Sequence, residues 1–416
     1  MAQLSTLGSN TIMKIRHLVL LVSVGVFFTV NFVSAQTWTK QSNSPASYWN
    51  CIASSADGSK LIAASFNGPI YTSPDSGITW VESSNAPGSE WIAAVSSADG
   101  VKLAALNTGN SVLYDNTLLY TSTDSGTTWT SINTPSVALN CMALSADGTT
   151  LIAGDWNDFG VPSLIYSSTN FGITWVTNSA PSEYWTSIAS SADGTKFVAG
   201  CVNPNDTGAV FLSPDSGMTW NETDLPFANW QSVASSADGS KLVAAASGGL
   251  VYTSTNSGAT WMTNSMPVTF WISVTVSADG SRFVAANTYG SLNNAGIIYA
   301  STDYGLSWMS NDVPSNVSWQ AIASAADGNR LAVATFNNSI YTFYSRPQPT
   351  LNLKPLPPNL IISWVVPATN LVLQQSADLI SWANMTNKPM LNLTNLQNQI
   401  SLSPANGIGF YRLLTP

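Results

Sequence analysis

The feature that most constrains this chain is an internal repeat of about 45 residues that occurs seven times. The phrase Ala-Asp-Gly marks each copy, and the steps between successive copies are 42, 48, 46, 45, 41 and 48 residues. Asp-Gly between two short apolar runs is typical of a β-hairpin, because glycine adopts positive φ without steric cost. Three residues after most of these aspartates stands a Lys or Arg, whereas the third repeat has Thr150. The aspartates are Asp57, Asp99, Asp147, Asp193, Asp238, Asp279 and Asp327.

A second hairpin follows in six of the repeats, and in the first it reads Ser73-Pro-Asp-Ser-Gly-Ile-Thr-Trp80. We call this phrase the box turn. Its Asp carboxylate can accept hydrogen bonds from N–H groups of the turn, and its Gly takes the left-handed conformation. The Trp that ends it is expected to fill the space between neighbouring sheets. The carboxylate position holds Asp75, Asp124, Asn170, Asp215, Asn256 and Asp303.

Two hairpins in each repeat give four strands, and seven such units predict a seven-bladed β-propeller over residues 36–345. A solenoid is the alternative, and the two ends of the repeat region separate the two folds. The seventh repeat lacks its fourth strand, whereas Thr37–Gln41, just before the first repeat, matches that strand. Closure into a ring explains this division, since a ring leaves no open sheet edge. The sequence therefore predicts an all-β propeller closed by its N-terminal strand.

The box turn resembles the Asp-box of the sialidase-like propellers, also called BNR-repeat propellers. The resemblance covers roughly residues 37 to 345, with six copies in register. It implies that the box turn joins the third and fourth strands, on the face opposite the catalytic one. The same box occurs in sialidases, xyloglucan-cleaving hydrolases, sortilin-type receptors and the photosystem II stability/assembly factor family. A shared fold does not choose among these functions.

Sialidases, as the resemblance implies, hold the carboxylate of their substrate with three arginines at the centre of the propeller. Lysine replaces arginine poorly there, because only the guanidinium group binds a carboxylate through two parallel hydrogen bonds. Arg282 and Arg330 lie in the hairpin position that Lys occupies elsewhere, and Arg346 and Arg412 lie beyond the repeats. The chain therefore has no arginine triad, and we expect no sialidase activity.

The N-terminal segment has the pattern of a secretory signal peptide spanning residues 1–35. Lys14, Arg16 and His17 precede the uncharged run Leu18–Val30, and Ala35 is placed for cleavage. A transmembrane anchor is the alternative, but a span needs about 20 apolar residues. We therefore expect a secreted, periplasmic or cell-surface protein without a transmembrane segment after cleavage.

Cleavage also constrains chemistry and partners. His17 is the only histidine, so its loss excludes a serine-hydrolase triad and a histidine–zinc site. The full chain has 13 Lys and Arg against 22 Asp and Glu, and cleavage removes Lys14 and Arg16. Such an acidic chain is not expected to bind nucleic acid, which requires a basic face.

A glycoside hydrolase needs only two carboxyl groups at a suitable separation. The candidates are Asp155, Asp158 and Asp206, which lie on the loops between the second and third strands of the third and fourth repeats. Solvated loop carboxylates are the alternative interpretation. Calcium binding by the same oxygen ligands is also open, although neither loop matches an established pattern and we expect no cofactor.

A tryptophan stands eight residues before the hairpin aspartate in every repeat except the third, which has Leu139. Indole faces at the mouth of the channel would bind sugars or apolar peptide side chains. Packing between blades is the alternative, and exposure below about a tenth would exclude ligand binding, because large aromatic side chains are mostly buried. The candidate ligand-binding residues are Trp49, Trp91, Trp185, Trp230, Trp271 and Trp319, with Trp156 on the third-repeat loop.

The sequence after the repeats predicts a linker over 346–350 and a small β-sandwich-like module over 351–416. Cys51, Cys141 and Cys201 are an odd number for an exported chain, and Cys51 and Cys141 share a repeat position typical of small core residues. Together these features favour a monomeric, non-catalytic binding or scaffolding protein for a glycan or a protein partner. A glycoside hydrolase is the alternative. A photosystem assembly factor is the third possibility, weakened because an arginine-rich patch is not evident.

Overall fold

The computed structural model contains only strands as regular elements in the part of the chain that it describes. Within that part, no helix is long and apolar enough to cross a membrane. The chain divides into two compact units, one consisting mainly of Gln36–Ser345 and the other including Arg346–Asn392 and Gln397–Pro416. The described residues are 13–15, 38–45, 47–86, 90–108, 117–136, 138–156, 162–203, 207–264, 266–288, 296–310, 313, 317–336, 339–345, 352–356, 359–365, 372–376, 381, 383–385, 389–392, 397–402 and 409–414.

The first unit consists of antiparallel sheets, which we divide into four-stranded blades numbered in chain order; blades 5 and 6 are joined in one eight-stranded sheet through the pairing of Ser247 with Phe270. Blade 1 comprises Trp49–Ser54, Leu61–Ser65, Ile70–Ser73 and Val81–Glu82. Blade 2 comprises Trp91–Ser96, Leu103–Asn107, Leu118–Ser122 and Thr130–Ile132. Blade 3 comprises Leu139–Leu144, Leu151–Asp155, Ile165–Ser168 and Val176–Thr177. Blade 4 comprises Tyr184–Ser190, Phe197–Val202, Val210–Ser213 and Asn221–Glu222. Blade 5 comprises Trp230–Ser235, Leu242–Gly249, Val251–Ser254 and Met262–Thr263. Blade 6 comprises Thr269–Val276, Phe283–Asn287, Ile298–Ser301 and Met309–Ser310. Blade 7 comprises Trp319–Ser324, Arg330–Thr335 and Ile340–Tyr344, with Trp38–Lys40 as its fourth strand.

The N-terminal strand closes the last blade, as the sequence predicts. Trp38 pairs with Phe343 and Lys40 pairs with Tyr341 in antiparallel register. This pairing supplies the fourth strand that the seventh repeat lacks, and it leaves the third strand of blade 7 without an open edge. The predicted all-β propeller is therefore the observed fold of this unit.

A continuous ring of backbone hydrogen bonds joins the inner ends of the blades. The alanine before each hairpin aspartate donates its N–H to the carbonyl of the equivalent alanine in the next blade, at 2.7 to 2.9 Å. The order around the ring is Ala56, Ala98, Ala146, Ala192, Ala237, Ala278 and Ala326, which donates to Ala56. The ring surrounds a cavity of about 170 Å³ lined mainly by serine and alanine. Small side chains are needed here because blades converge towards the axis.

The hairpin turns combine a capped aspartate with a contact to the next blade. Asp57 Oδ1 accepts the Ser55 hydroxyl at 2.6 Å and the Ser59 N–H at 2.9 Å. Gly100 has φ +65°, and a Cβ built on it would lie 2.7 Å from Cδ of Lys60 in the preceding blade. Glycine is therefore required at this position for two reasons: its φ is positive, and the aliphatic part of the lysine side chain occupies the space of a Cβ.

The box turns form the hydrogen bonds that the sequence predicts. Asp75 Oδ1 accepts the Thr79 N–H at 2.7 Å, and Ser73 Oγ accepts the Gly77 N–H at 2.8 Å. In blade 3 the amide of Asn170 replaces the carboxylate and still accepts the N–H of the equivalent threonine at 2.9 Å. Ser76, directly before the glycine, also has positive φ (62°), as do its equivalents in the other box turns. Two successive left-handed residues therefore shape a turn in which we expected only one.

The second unit contains two further four-stranded sheets. One holds Asn352–Leu356, Asn359–Val365, Gln397–Leu402 and Met390–Asn392 in this spatial order. The other holds Met13–Ile15, Gly409–Leu414, Val372–Ser376 and Ala383–Asn384. Met13–Ile15 belongs to the segment that the sequence assigns to a signal peptide. Trp364 and Ile362 are buried in this unit.

The three cysteines are buried and free, and for Cys51 and Cys141 the sequence predicts this burial. Burial raises the pKa of Cys51 and Cys141 to about 12, so neither forms a thiolate at neutral pH. Cys141 and Cys201 lie in one apolar cluster between blades 3 and 4.

Candidate binding face

Antiparallel order gives each blade two different ends. The hairpin turns and the box turns lie at one end, which we call the turn face. The loops between second and third strands, and the connections from one blade to the next, lie at the other end, which we call the loop face. The inner-strand tryptophans and Asp155 belong to the loop-face half of the blades.

The six inner-strand tryptophans are buried, so the expectation that they contact a ligand is wrong. Their exposed fractions are 1% for Trp49 and 0% for the others. These values lie below the limit of about a tenth under which a tryptophan cannot bind a ligand. Leu139, their equivalent in blade 3, is buried in the same way. The buried set comprises Trp49, Trp91, Trp185, Trp230, Trp271 and Trp319.

Packing between blades is the physical reason for this burial. Trp91 lies in a cluster with Ile62 and Ile70 of blade 1 as well as Leu103 of its own blade. Its ring meets that of Tyr120 edge to face at 5.4 Å, and its indole N–H donates to the Gly68 carbonyl of blade 1 at 3.1 Å. The other five make the same edge-to-face contact with the third-strand aromatic of their blade, at 5.5 to 5.7 Å. They are therefore structural residues that join neighbouring blades.

Asp155 is also buried, with an exposed fraction of 2%. Its Oδ1 accepts the backbone N–H of Leu164 at 2.5 Å, which fixes the far end of the loop that follows it. Burial raises the pKa of the Asp155 carboxyl above its ordinary value, although hydrogen bonds from Ser136, Leu164 and Tyr166 oppose the shift. Asp158 and Asp206, the other candidate carboxylates, lie outside the described residues.

Equivalent residues in other blades hold the same loop without any carboxylate. In blade 6, Asn287 Oδ1 accepts the Ile297 N–H at 2.5 Å. In blade 7, Thr335 Oγ1 accepts the Ser339 N–H at 3.1 Å and donates to its carbonyl. Asp155 therefore has a structural role that the repeat supplies elsewhere with neutral side chains.

An exposed aromatic pair joins blades 3 and 4 on the loop face. Trp156, the candidate directly after Asp155, is 36% exposed and stacks on Tyr184 with ring centroids 5.9 Å apart and planes 26° apart. Tyr184 stands directly before the buried Trp185, so its position is fixed by the inner strand. Of the aromatic residues that the sequence proposed for binding, Trp156 is the one at the surface.

A second pair of this kind joins blades 7 and 1. Phe336 and Tyr48 are 51% and 50% exposed, and their ring centroids are 5.4 Å apart. The two pairs occupy equivalent positions. Trp156 and Phe336 each donate a backbone N–H to the residue before the inner strand of their own blade, at 2.9 and 3.0 Å. Tyr184 and Tyr48 each directly precede a buried inner-strand tryptophan. Exposed aromatic pairs at equivalent positions therefore mark two non-adjacent junctions of the ring.

Charge is distributed unequally between the two faces. Apart from Lys40, every Lys and Arg of residues 36–345 lies in the hairpin position on the turn face, where Lys102 Nζ donates to the carbonyls of Asp147 and Gly148 at 3.2 Å. The loops and connections of the loop face contain no Lys or Arg in the sequence. Among their described residues they carry the carboxylates of Glu90, Glu183 and Asp224. In the described part of the chain, no group of three or more His, Cys, Asp or Glu is placed to hold a metal ion.

The sequence contains a signal for the residues that we missed. Tyr48 and Tyr184 stand directly before inner-strand tryptophans, at a position that is polar or small in most other repeats. Phe336 directly follows a second strand, as Trp156 does. Aligning the repeats at these two positions would have selected all four aromatic residues, but not their pairing, because each pair spans two blades.

The sequence matches no known family model and no curated protein. Among solved structures, a GH74 xyloglucanase from Xanthomonas campestris is similar with a TM-score of 0.58 and 13% identity, covering 79% of this chain and 59% of that enzyme. The protein therefore spans little more than half the length of that xyloglucanase.

YCF48 from Cyanidioschyzon merolae is also similar, with a TM-score of 0.54 and 15% identity over 74% of this chain and 98% of YCF48. A structure of YCF48 bound to D1 peptide gives a TM-score of 0.54 and 14% identity, with 75% and 98% coverage. These likenesses confirm the β-propeller fold that the repeats and box turns predict.

Proposed function

We propose that this protein is a non-catalytic binding or scaffolding propeller that recognises a glycan or a protein partner through its loop face. The observation that carries the proposal is the pair of equivalent exposed aromatic contacts, Trp156 with Tyr184 and Phe336 with Tyr48. Aromatic side chains exposed in pairs offer broad faces for sugar rings or peptide side chains. The repeat places them on the face whose loops vary most in length from blade to blade.

The proposed location is outside the cytoplasm, either secreted, periplasmic or at the cell surface. The basic cluster, the apolar run and the small residues before Gln36 support export. N-terminal sequencing of the mature protein from a cell fraction outside the inner membrane should begin at Gln36. An intact N-terminus in the cytoplasmic fraction would contradict this location.

Binding is tested with a glycan array and with cross-linking to proteins of the same compartment, using the wild type and the variants Trp156→Ala and Phe336→Ala. We expect a ligand that the wild type retains and that both variants bind more weakly. Tyr304→Ser is the matched control, because Tyr304 is a 45% exposed aromatic on the turn face and most of its equivalents are serine. Equal binding by all four proteins would contradict the proposal.

A glycoside hydrolase is the alternative, and similarity to a xyloglucanase favours including a reducing-sugar assay beside the array. Hydrolysis needs a second carboxyl group near the first. It would depend on Asp158 or Asp206, since Asp155 is committed to its loop. Release of reducing ends by the wild type and not by Asp158→Ala or Asp206→Ala would favour hydrolysis.

An assembly factor is the third candidate, because YCF48 shares the fold over nearly its whole length. The loop face of this chain, however, contains no arginine. This candidate predicts a protein partner and no glycan in the binding experiment.

A further inference from the structure

We infer that the partner of the loop face is cationic, a Lys- or Arg-rich peptide segment whose positive side chains lie over the exposed aromatic pairs. The inference rests on the proposed function and names the class of partner. It is carried by two features of one face, the geometry of the aromatic pairs and the distribution of charge around them.

The aromatic pairs offer faces that attract cations. The rings of Trp156 and Tyr184 lie nearly parallel, at 26°, whereas those of Phe336 and Tyr48 are tilted by 51°. Each pair is at least partly open to solvent. The face of an aromatic ring is negative, and Trp attracts a guanidinium or ammonium group most strongly. Each pair can therefore receive a positively charged side chain of an extended peptide.

The chain itself already shows this preference on its turn face. The guanidinium of Arg330 lies over the ring of Tyr344 at 5.0 Å from the centroid, and Lys102 Nζ lies over Phe171 at 5.7 Å. On the loop face, by contrast, the loops and connections supply no Lys or Arg to cover the aromatic pairs. Lys40, on the fourth strand of blade 7, is the one Lys or Arg of residues 36–345 outside the hairpin position, so the loops themselves leave both aromatic pairs open to a positive group of a partner.

Charge selects between the possible partners. Glu183 directly precedes Tyr184, Asp224 is exposed on the next connection, and Glu90 lies on the connection between blades 1 and 2. These carboxylates outnumber Lys40, the one Lys or Arg of residues 36–345 outside the hairpin position, and give the loop face a negative potential that repels anionic ligands and attracts cations. A neutral glycan would gain nothing from this potential, whereas a basic peptide would gain both affinity and a faster association.

The experiment measures binding by fluorescence anisotropy with labelled peptides built from Arg-Gly-Ser repeats. Matched peptides carry Gln or Glu in place of Arg, and neutral gluco- and xylo-oligosaccharides compete in parallel. The full-length protein is compared with Trp156→Ala, Phe336→Ala and Asp224→Asn at low and high salt. Tyr304→Ser is the control for an exposed aromatic on the opposite face.

We expect the Arg peptide to bind and the Gln and Glu peptides to bind at least about tenfold more weakly, since steering by charge favours the cation. Trp156→Ala and Phe336→Ala should each weaken binding about threefold, which corresponds to one solvent-exposed cation–π contact. Asp224→Asn should weaken it at low salt and have less effect at high salt, because salt screens exposed charges. Tyr304→Ser should bind as the wild type does.

Equal affinity for the Arg and Gln peptides, or binding of the Arg peptide that neither aromatic variant changes, would overturn the inference. Competition by a neutral oligosaccharide whose own binding is lost in Trp156→Ala would also overturn it, while leaving the proposed binding function in place. Failure of every peptide to bind would also overturn the inference, and the proposed binding function would be contradicted only if the glycan array and the cross-linking experiment also found no ligand.

Discussion

Ala326 donates its backbone N–H to the carbonyl oxygen of Ala56 at 2.8 Å, and this bond completes the ring of blades. The two residues are far apart in the sequence but hold the same position in the last and first repeats. Every other member of the ring donates to the next blade in chain order. The closing bond therefore makes the last junction equivalent to the others, and it brings Phe336 beside Tyr48 at the loop-face end of the same junction.

Blade 7 provides a natural test of the hairpin turn, because Ala325 replaces the serine that caps the aspartate in the other blades. Burial raises the pKa of Asp327, whereas at Asp57 burial is outweighed by hydrogen bonds from Ser55 and Ser59, and the pKa lies below its ordinary value. Ala325→Ser should supply the missing donor and stabilise the protein by about 1 kcal/mol. Denaturant unfolding measures this, and Ser97→Ala should destabilise blade 2 by a similar amount. A lower unfolding free energy for Ala325→Ser would contradict the expected cap.

The box-turn carboxylates should make stability depend on acid pH. Despite some desolvation, hydrogen bonds from Thr79 and Ser73 hold the pKa of Asp75 below its ordinary value. The folded protein then binds fewer protons than the unfolded chain, so the stabilisation is complete above about pH 4 and is lost as pH falls through the lowered pKa.

The variant Asp75→Asn should keep the turn at neutral pH, as Asn170 does in blade 3. It should also show a smaller loss of unfolding free energy between neutral and acid pH. Asp75→Ala is the comparison, because it removes the acceptor and should destabilise the protein at neutral pH as well. An unchanged pH dependence in Asp75→Asn would show that this carboxylate does not contribute.

Substitution of a buried inner-strand tryptophan should mainly lower stability, whereas substitution of the exposed Trp156 should mainly weaken binding. Trp91→Ala removes a fully buried indole between two blades and should cost about 3 to 5 kcal/mol of unfolding free energy. Trp156→Ala removes an exposed indole and should change stability by no more than about 1 kcal/mol. Thermal unfolding and peptide binding of both variants check this. A binding defect in a folded Trp91→Phe that exceeds the defect in Trp156→Ala would contradict the assignment.

The junction between blades 3 and 4 lacks the lysine that joins other hairpin turns. Thr150 packs on Gly194 as Lys102 packs on Gly148, but its hydroxyl is too short to reach the next turn. Thr150→Lys should donate to the carbonyl of Asp193 and stabilise the protein by about 0.5 kcal/mol, the value of a partly exposed charged contact. Lys102→Thr should lose a similar amount. Destabilisation by Thr150→Lys would show that this junction is built differently.

The variant Asp155→Asn tests whether the Asp155 carboxylate has a structural or a catalytic role. Because burial raises the pKa of Asp155, its ionisation opposes folding as pH rises through the interval between its unfolded and folded pKa. The neutral amide keeps the acceptor for the Leu164 N–H, as Asn287 does for Ile297. We therefore expect unfolding free energy at neutral pH to be unchanged or higher, within about 1 kcal/mol. Loss of a measurable hydrolase activity without loss of stability would instead favour the glycosidase alternative.

The sequence alone determined the fold, because each blade repeats the same local chemistry. The spacing of Asp57-Gly58 and its equivalents fixes where each hairpin turns, and the box turn of Asp75 fixes the second hairpin. The displaced strand around Trp38 indicated closure of the ring. The two turns are short-range signals, in which neighbouring residues satisfy one another's hydrogen bonds, whereas closure was indicated by a repeat that lacks one strand and a matching strand at the other end.

Only the tertiary structure decided which residues can meet a partner. The inner-strand tryptophans look alike in the sequence whether they line a channel or fill a junction, and the neighbouring blade buries them. Asp155 looks like a loop carboxylate until Leu164 is seen to donate to it. The aromatic pairs, and the separation of cations from the loop face, arise from contacts between blades and from which end of a strand a residue occupies. The burial of the tryptophans and the aromatic pairs depend on contacts between neighbouring blades, which no single repeat contains.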